Sequence, residues 1–571
     1  MIRIKEFLKA HWIAVVLAFM VGAISVAPQI VAMRDAQYKG IQMFGTDAEY
    51  FYVGRMNHSL YEDYSQGPFP VDPGKNYYLL PKLGERLMAA FSVLFHTQVP
   101  QVNVALKFFG PVILTLILYG WSFEMFSSKT SALISSSFVI LGINLLDPGN
   151  PFATIGNFLP YTRPLSPLLS SLFLFLGLWG IYRLWFFKPK LRLAFSLMLG
   201  AWIGLSLYEY IYSWTYLVVV LGLCLLYLVF KREWNKVKYF FIALLANFIA
   251  LIPYFHNLLI ARKDSDYLYM AARQGLLHSH APILGIWVVI GAVIVIFLWP
   301  APHQNTKRFF IILVSALFVV LNQQIITGLL IQPGHYHWFT TKPIIAIIIS
   351  FVGLYWLRKF FANKKLQTGF VVLLLGLFFI NAIAIQAYSY SDAYPTFQKL
   401  QKYAPVLAFL NQTYPLKKNV FITSDFDVVY TQASYLVLDY THLNAPLVPD
   451  NYSESLDTVR DQLFLGYRLR GIHGKDILGV LTQERGNVTT SLFGIYYRDL
   501  PGSHELSDTQ LQDLSGEYAK FYKMPIKDVF EKLHLDIIIN DNGNTNLASL
   551  PFLKIVYTEG DMVVYEFNPT Q

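Results

Sequence analysis

Two carboxylates one residue apart, Asp47 and Glu49, stand in the stretch MFGTDAEYFYVGRMNHSLYED, residues 43–63. They follow the apolar run that ends at Ala32 by fifteen residues. A carboxylate beside an acceptor hydroxyl can take its proton as a general base. Two of them can also supply hard oxygen ligands to a divalent cation, Mg or Mn, bridging a phosphate. The same letters carry a purely structural meaning. Thr46 and Glu49 fit a capping box, and Asp47 in a first turn suits the helix dipole. Side chains at a helix start escape the facing rules of the helix middle, so both acids can point into a cavity. One motif therefore serves a cap and a reactive pair.

Cations that could hold an anion lie elsewhere in the chain. Arg163 stands in LPYTRPLSP, and it is the one Lys or Arg in the loop 147–164. Arg262, Lys263 and Arg273 stand in ARKDSDYLYMAARQG, and Lys342 follows WFTT. Arginine grips phosphate as a fork and lysine as a point charge. The structural alternative is that these side chains snorkel to a membrane interface. A further unusual stretch is NQQIITGLLIQPGHYHWFTTKP, residues 322–343. Asn322, Gln323 and Gln324 interrupt an apolar segment, so they must be hydrogen-bonded or face a cavity. His335, Tyr336 and His337 then form an aromatic surface that could contact a sugar or a lipid headgroup. It could equally be an interfacial aromatic belt. Two histidines at this spacing could share a metal, but no third ligand stands nearby in sequence.

The elements that must position these residues are membrane helices. The chain has 571 residues, 55% hydrophobic, 16% aromatic and 14% charged, against about 25% charged in soluble proteins. Mean hydropathy is +0.42. The net charge of +9 reads as Lys and Arg holding cytoplasmic loops rather than as a nucleic-acid surface. The single cysteine, Cys224, allows no disulfide and no Cys-based metal site. The basic N-terminus and its long apolar run read as an uncleaved first span.

Apolar segments near 12–32, 102–124, 131–146, 165–187, 193–208, 212–230, 237–259, 282–299, 309–330, 343–361 and 369–388 give about eleven candidate spans. The short loops on one side carry Arg3, Lys5, Lys129, Lys188, Lys190, Lys231, Arg232, Lys307, Arg358 and Lys359. The positive-inside rule makes that side cytoplasmic. The longer loops 33–101, 147–164, 260–281 and 331–342 then face outward, with the acidic pair in the first of them. An odd number of spans puts the C-terminal segment outside too. We expect a transmembrane domain over 1–388 and an extracytoplasmic α/β domain over 389–571. In the latter, NVFITSD and LDIIIN read as strands and KIVYTEGDMVVYEF as a hairpin. The region 455–484 reads as helical. The acids of SDFD could mark a site but more often end a strand. Glycosylation sequons at Asn57, Asn411, Asn451 and Asn487 matter only in a glycosylating host. No nucleophile elbow, dinucleotide fingerprint or phosphate loop occurs.

A short cytoplasmic N-terminus, one span, and a long outer loop opening on GTDAEYF resemble the GT-C superfamily of membrane glycosyltransferases. Its members include protein O-mannosyltransferases and lipid A aminoarabinose transferases. The resemblance covers the topology of residues 1–390, and an outer C-terminal domain also suits it. It implies Asp47 as catalytic carboxylate and Glu49 as its partner or a metal ligand. It implies a polyprenyl-phosphate-linked sugar as donor, with Arg163, Arg262, Lys263, Arg273 and Lys342 as candidates for the phosphate. His335, Tyr336 and His337 are candidates for contact with the sugar or donor. The acceptor would be a glycan, lipid or protein at the plasma membrane's outer face. Two other readings stand beside it: a catalytically inactive scaffold or polysaccharide-binding protein, and a transporter. Ion-coupled transporters keep ionisable residues deep in their spans. Here the span middles are nearly free of charge, and Glu124 and Glu209 fall at span ends.

Overall fold

The computed structural model describes residues 2–43, 47–59, 76–147, 158–186, 192–300, 303–414, 419–423, 454–494, 497, 505–541 and 545–569. Every one of the eleven expected apolar segments holds a helix. Among the described residues, seven helices are long and apolar enough to cross a membrane: Lys9–Ala32, Val99–Phe126, Pro164–Phe186, Ile211–Phe230, Thr306–Thr327, Pro333–Phe360 and Lys364–Thr413. An eighth forms if Trp234–Ala250 and Ile252–Ala261 count as one span bent by 42°. Pro253 explains that bend: its ring removes an N–H and crowds the carbonyl one turn back. The expected spans 131–146 and 282–299 are shorter helices, Lys129–Leu141 and Ile286–Leu298. At 13 residues, the first is roughly 20 Å long, short of the ~30 Å hydrocarbon core.

The first elements are α1 (Ile2–Ala32), α2 (Asp47–His58), α3 (Leu83–Leu94) and α4 (Val99–Phe126). The long helices α1 and α4 pack side by side. The helix Arg192–Glu209 is 18 residues long and joins the bundle through small residues. A side chain at Gly200 would collide with the Ala243 carbonyl, and one at Gly204 would lie 2.6 Å from Ala250 Cβ. This small-xxx-small face lets the helix lie flush on Trp234–Ala250.

At one end of the bundle sits the C-terminal domain. Its entry is the helix Lys364–Leu400, 37 residues in one piece. The expected boundary at 388/389 falls inside this helix. Two small strands, β1 (Leu277–His278) and β2 (Leu329–Leu330), pair antiparallel among the loops. The domain sheet follows: β3 (Val420–Ile422), β4 (Ile537–Asn540), β5 (Leu553–Glu559) and β6 (Met562–Phe567), in the order β3-β4-β6-β5. β3 and β4 run parallel, and β4–β6 and β5–β6 are antiparallel. The expected hairpin is present, and Gly560 supplies its turn at φ +57°. β4 is apolar at successive positions because both of its faces are covered. Ile538 faces the domain helices with Phe464, Tyr518 and Phe530. Ile537 and Ile539 face the other way, into a cluster with Val53, Met56, Met88, Leu165 and Leu400. That second cluster joins α2, α3 and the sheet, and defines one end of the bundle as its domain face. The region 455–484 is helical in two pieces, Leu456–Leu469 and Ile477–Gln483.

Candidate functional site

The described part of α2 is Asp47–His58. Thr46 and the side chains of Asp47 and Glu49 lie outside the described residues, as do the acids of SDFD. What α2 does further along is clear. Val53 and Met56 bury against α3 and the domain cluster. Between them Arg55, 2% exposed, places Nε 2.5 Å from Glu85 Oε1. Its Nη2 donates to the Pro81 carbonyl at 2.9 Å. Glu85 lies in the first turn of α3, where a carboxylate suits the dipole. Glu209 reaches the same spot from the end of Arg192–Glu209, and a side chain at Gly84 would collide with its Oε2. Arg55 thus stands with two carboxylates behind α2. Local sequence gives no signal for this group, because its members come from three separate helices.

One turn before Arg55, Tyr52 faces the loop that carries Arg163. Burial pushes the Tyr52 hydroxyl up to about 12. The Arg163 guanidinium opposes that shift and the Glu85 carboxylate adds to it. Tyr52 therefore stays a neutral hydrogen-bond donor throughout the neutral range. Arg163 caps the turn Pro160–Thr162. Pro164 and Pro167 keep the next six residues out of regular α-helix before Ser170–Phe186 begins. The half-buried Arg163 side chain lies 5.8 Å from the Phe339 ring centroid.

The far wall is the aromatic stretch. His335 bonds through Nδ1 to the Tyr210 hydroxyl. Its ring stacks on Tyr212 at 4.5 Å and meets Phe339 edge-on at 5.9 Å. Arg163 and His335 therefore share Phe339 as a neighbour. Tyr336 is buried, its hydroxyl 2.7 Å from Thr215 Oγ1, so it is part of the wall's support. His337 packs edge-on against Trp338. The same Trp338 carries Lys342, whose fully buried Nζ sits 3.1 Å from the ring centroid and 3.5 Å from Asp147 Oδ2. Asn322, Gln323 and Gln324 are hydrogen-bonded, as their apolar surroundings require. Asn322 pairs both ways with the Ile283 backbone, and Gln323 and Gln324 donate to Leu329 and Ala281.

The remaining expected cations do not join Arg163. Arg262 and Lys263 are exposed at the end of Ile252–Ala261. Arg273 is 1% exposed and works as a clamp. Its Nη1 donates to the Ser491 carbonyl at 2.5 Å and to that of Leu492 at 2.8 Å. Both belong to the last turn of Arg485–Phe493, where helix carbonyls lack internal partners. The loop residues Tyr77 and Tyr78 also dock here. The Tyr77 hydroxyl donates to Asp264, and Asn257 bonds the Tyr78 backbone in both directions. Among the described residues, no three His, Cys, Asp or Glu side chains come together to hold a metal.

No family model matches the sequence, and no curated protein matches it. Solved structures do. One is ArnT from Cupriavidus metallidurans bound to undecaprenyl phosphate, 11% identical, covering 98% of each chain at a TM-score of 0.46. Another is the oligosaccharyltransferase AglB from Archaeoglobus fulgidus, in complex with an inhibitory peptide and a dolichol-phosphate. It is 12% identical over 94% of this chain and 70% of that one, at a TM-score of 0.47. A third is the Archaeoglobus fulgidus oligosaccharyltransferase complex with Zn and sulfate, 11% identical over 92% and 68%, at 0.45.

Proposed function

We propose that the protein is a membrane glycosyltransferase that moves a sugar from a polyprenyl-phosphate-linked donor to an acceptor at its domain face. We take that face to be extracytoplasmic, because the short Lys- and Arg-rich loops belong to the other side. One observation carries the reading. The helix that opens on Asp47 sets Tyr52 beside Arg163, while Arg163 and His335 share Phe339. An acid-bearing helix, a guanidinium and an aromatic wall thus meet at one face.

In this reading Arg163 holds the donor phosphate as a bidentate fork. Asp47 takes the proton of an acceptor hydroxyl, and Glu49 orients it. The acceptor oxygen attacks the anomeric carbon from the face opposite the phosphate. The bond from that carbon to the phosphate oxygen breaks, and its electron pair leaves with the lipid phosphate. The product is inverted. Tyr52 offers a neutral O–H beside the phosphate site, and the Tyr212–His335–Phe339 wall borders the sugar. Asp47 and Glu49 are also the residues that would hold Mg or Mn between them. The proton and bond changes above involve no metal.

The test is binding and turnover of a panel of polyprenyl-phosphate sugars by protein in nanodiscs, wild type against Asp47→Asn and Glu49→Gln. We expect Asp47→Asn to lower turnover about 10²–10⁴-fold, the range of general-base catalysis, with donor affinity kept within threefold. Full transfer activity in both variants would show the reading to be wrong. Donor binding with no turnover by the wild type under any acceptor would mark an inactive scaffold.

A further inference from the structure

We propose that His278 and His280, at the edge of the small β1–β2 sheet, bind a divalent transition-metal ion of the zinc or copper class. The two residues are two apart in an extended segment, so their side chains leave the same side of the chain. Exposure follows that alternation. Both histidines are exposed, and Leu277 and Ser279 beside them are partly covered.

The two rings converge. They stand edge to face with centroids 5.0 Å apart. A Cβ on Gly328 would lie 3.2 Å from His280 Nε2 and 3.3 Å from His278 Nε2, so both nitrogens border one spot. Gly328, at φ +69°, leaves that spot clear. His335 and His337 share the same spacing and do not converge: one stacks on Tyr212 and the other packs on Trp338.

The proton on His280 is placed as a metal ligand needs it. Its Nδ1 lies 3.1 Å from the Ile325 carbonyl oxygen. That oxygen can only accept, so Nδ1 carries the hydrogen and the neutral ring keeps its lone pair on Nε2. Metal-ligating histidines share this arrangement, with the second nitrogen donating to a carbonyl or carboxylate. The backbone under the rings is pinned at three points. His278 pairs with Leu329 in the β1–β2 register, the Ser279 N–H donates to the Gly328 carbonyl at 3.0 Å, and Gln324 Nε2 donates to the Ala281 carbonyl at 2.9 Å. Ligands on a fixed backbone lose little freedom on binding. A turn of the His278 ring then lets both nitrogens reach a zinc–nitrogen distance of about 2.0–2.1 Å.

Two imidazoles suit zinc, copper or nickel, whereas magnesium and calcium take oxygen ligands. Asp47 and Glu49 offer the opposite preference, so the two places select different ions. The pair faces solvent, and water completes the coordination. A metal on Nε2 also makes the His280 Nδ1–H a stronger donor. It therefore tightens the bond to Ile325, which lies in the span Thr306–Thr327, and fastens the loop to that span's end.

Tag-free, metal-stripped protein in nanodiscs would be titrated with zinc, copper(II) and magnesium, each alone. The variants are His278→Ala, His280→Ala, the double variant and Asp47→Asn, with His473→Ala as an exposed control held by Tyr522. We expect the wild type to bind one equivalent of zinc more than the double variant. Each single variant should bind that equivalent at least tenfold more weakly, and His473→Ala less than threefold. Magnesium should titrate wild type and double variant alike. Copper(II) at this site should show coupling to two nitrogens by electron paramagnetic resonance, and to one in either single variant. Equal melting temperatures without metal would show that the variants fold. The proposal fails if the double variant binds as much zinc as the wild type, if copper shows no nitrogen coupling, or if the lost equivalent follows Asp47→Asn instead. The histidine-dependent equivalent is read without turnover, so failure of the glycosyltransferase reading would leave it untouched.

Discussion

Arg163 and Arg273 are the same residue type amid aromatics and small residues beyond a span, Arg163 as the one cation of its loop and Arg273 at the end of the short helix Tyr267–Arg273. Their surroundings differ. Arg273 is buried, and two carbonyls of the C-terminal domain and the Tyr269 hydroxyl take its donors. Arg163 is half-buried, and its guanidinium carbon lies 5.8 Å from the Phe339 ring centroid. A guanidinium tied to helix-end carbonyls is an architectural part. One facing an aromatic wall retains donors for an anion. The difference lies in what surrounds each fork in space.

The sharpest way to break this comparison is to delete both forks. We expect Arg163→Met to lower kcat/KM for a lipid-linked donor about 10²–10³-fold, the usual loss for one charge-stabilising donor, with melting temperature unchanged. Arg273→Met should leave donor KM within threefold. It should loosen the domain by about 2–4 kcal/mol, because two helix-end carbonyls lose charge-assisted bonds. Hydrogen exchange over 485–493 would rise in that variant alone. If Arg273→Met raises donor KM as much as Arg163→Met does, the two arginines share a role and the distinction collapses.

A related contrast lies behind α2. Arg55 holds Glu85 in a buried pair, with Glu209 close by. Removing one partner of such a pair leaves a stranded charge and costs about 3–5 kcal/mol. Arg55→Met should therefore destabilise more than Arg273→Met, and Glu85→Met on top of it should recover part of the loss. A double-mutant cycle by thermal unfolding measures the coupling. A cycle showing no coupling would mean that the two side chains are held by other groups.

Legibility followed the range of the interaction. Helices and the β5–β6 hairpin were readable because their signals are local: apolar runs, and a Glu-Gly-Asp turn between alternating residues. The Arg55–Glu85 pair was not, since its partners are thirty residues apart and each looks like an ordinary helix charge. Lys107 was hidden differently. One lysine barely lowers the hydropathy of a long apolar run, so the span was visible and its buried cation was not. The span count was also uncertain from letters alone. Lys129–Leu141 is apolar, but Gly142 and a 3-10 turn end it early.

Lys342 sits between the two arginines in character. It is fully buried on Trp338, and its ion partner Asp147 is about a third exposed. A partly wet pair and one cation–π contact together are worth about 1–2 kcal/mol. Lys342→Met should cost that much stability and change donor KM less than threefold. A tenfold rise in KM with stability unchanged would move Lys342 to the Arg163 side of the comparison.

The smallest effect belongs to Arg262 and Lys263. Both are exposed at the end of Ile252–Ala261. Charges in water are screened over about 8 Å at physiological salt, so they can draw a charged lipid toward the site without holding it there. Arg262→Ala with Lys263→Ala should change donor KM less than twofold at 150 mM salt. At low ionic strength, where the screening length grows to roughly 30 Å at 0.01 M, the same change should slow donor association several-fold and leave dissociation alone. Stopped-flow binding at the two salt levels separates these rates. A slower association that salt does not erase would mean direct contact with the donor phosphate, and the site would then extend from Arg163 to the end of this helix.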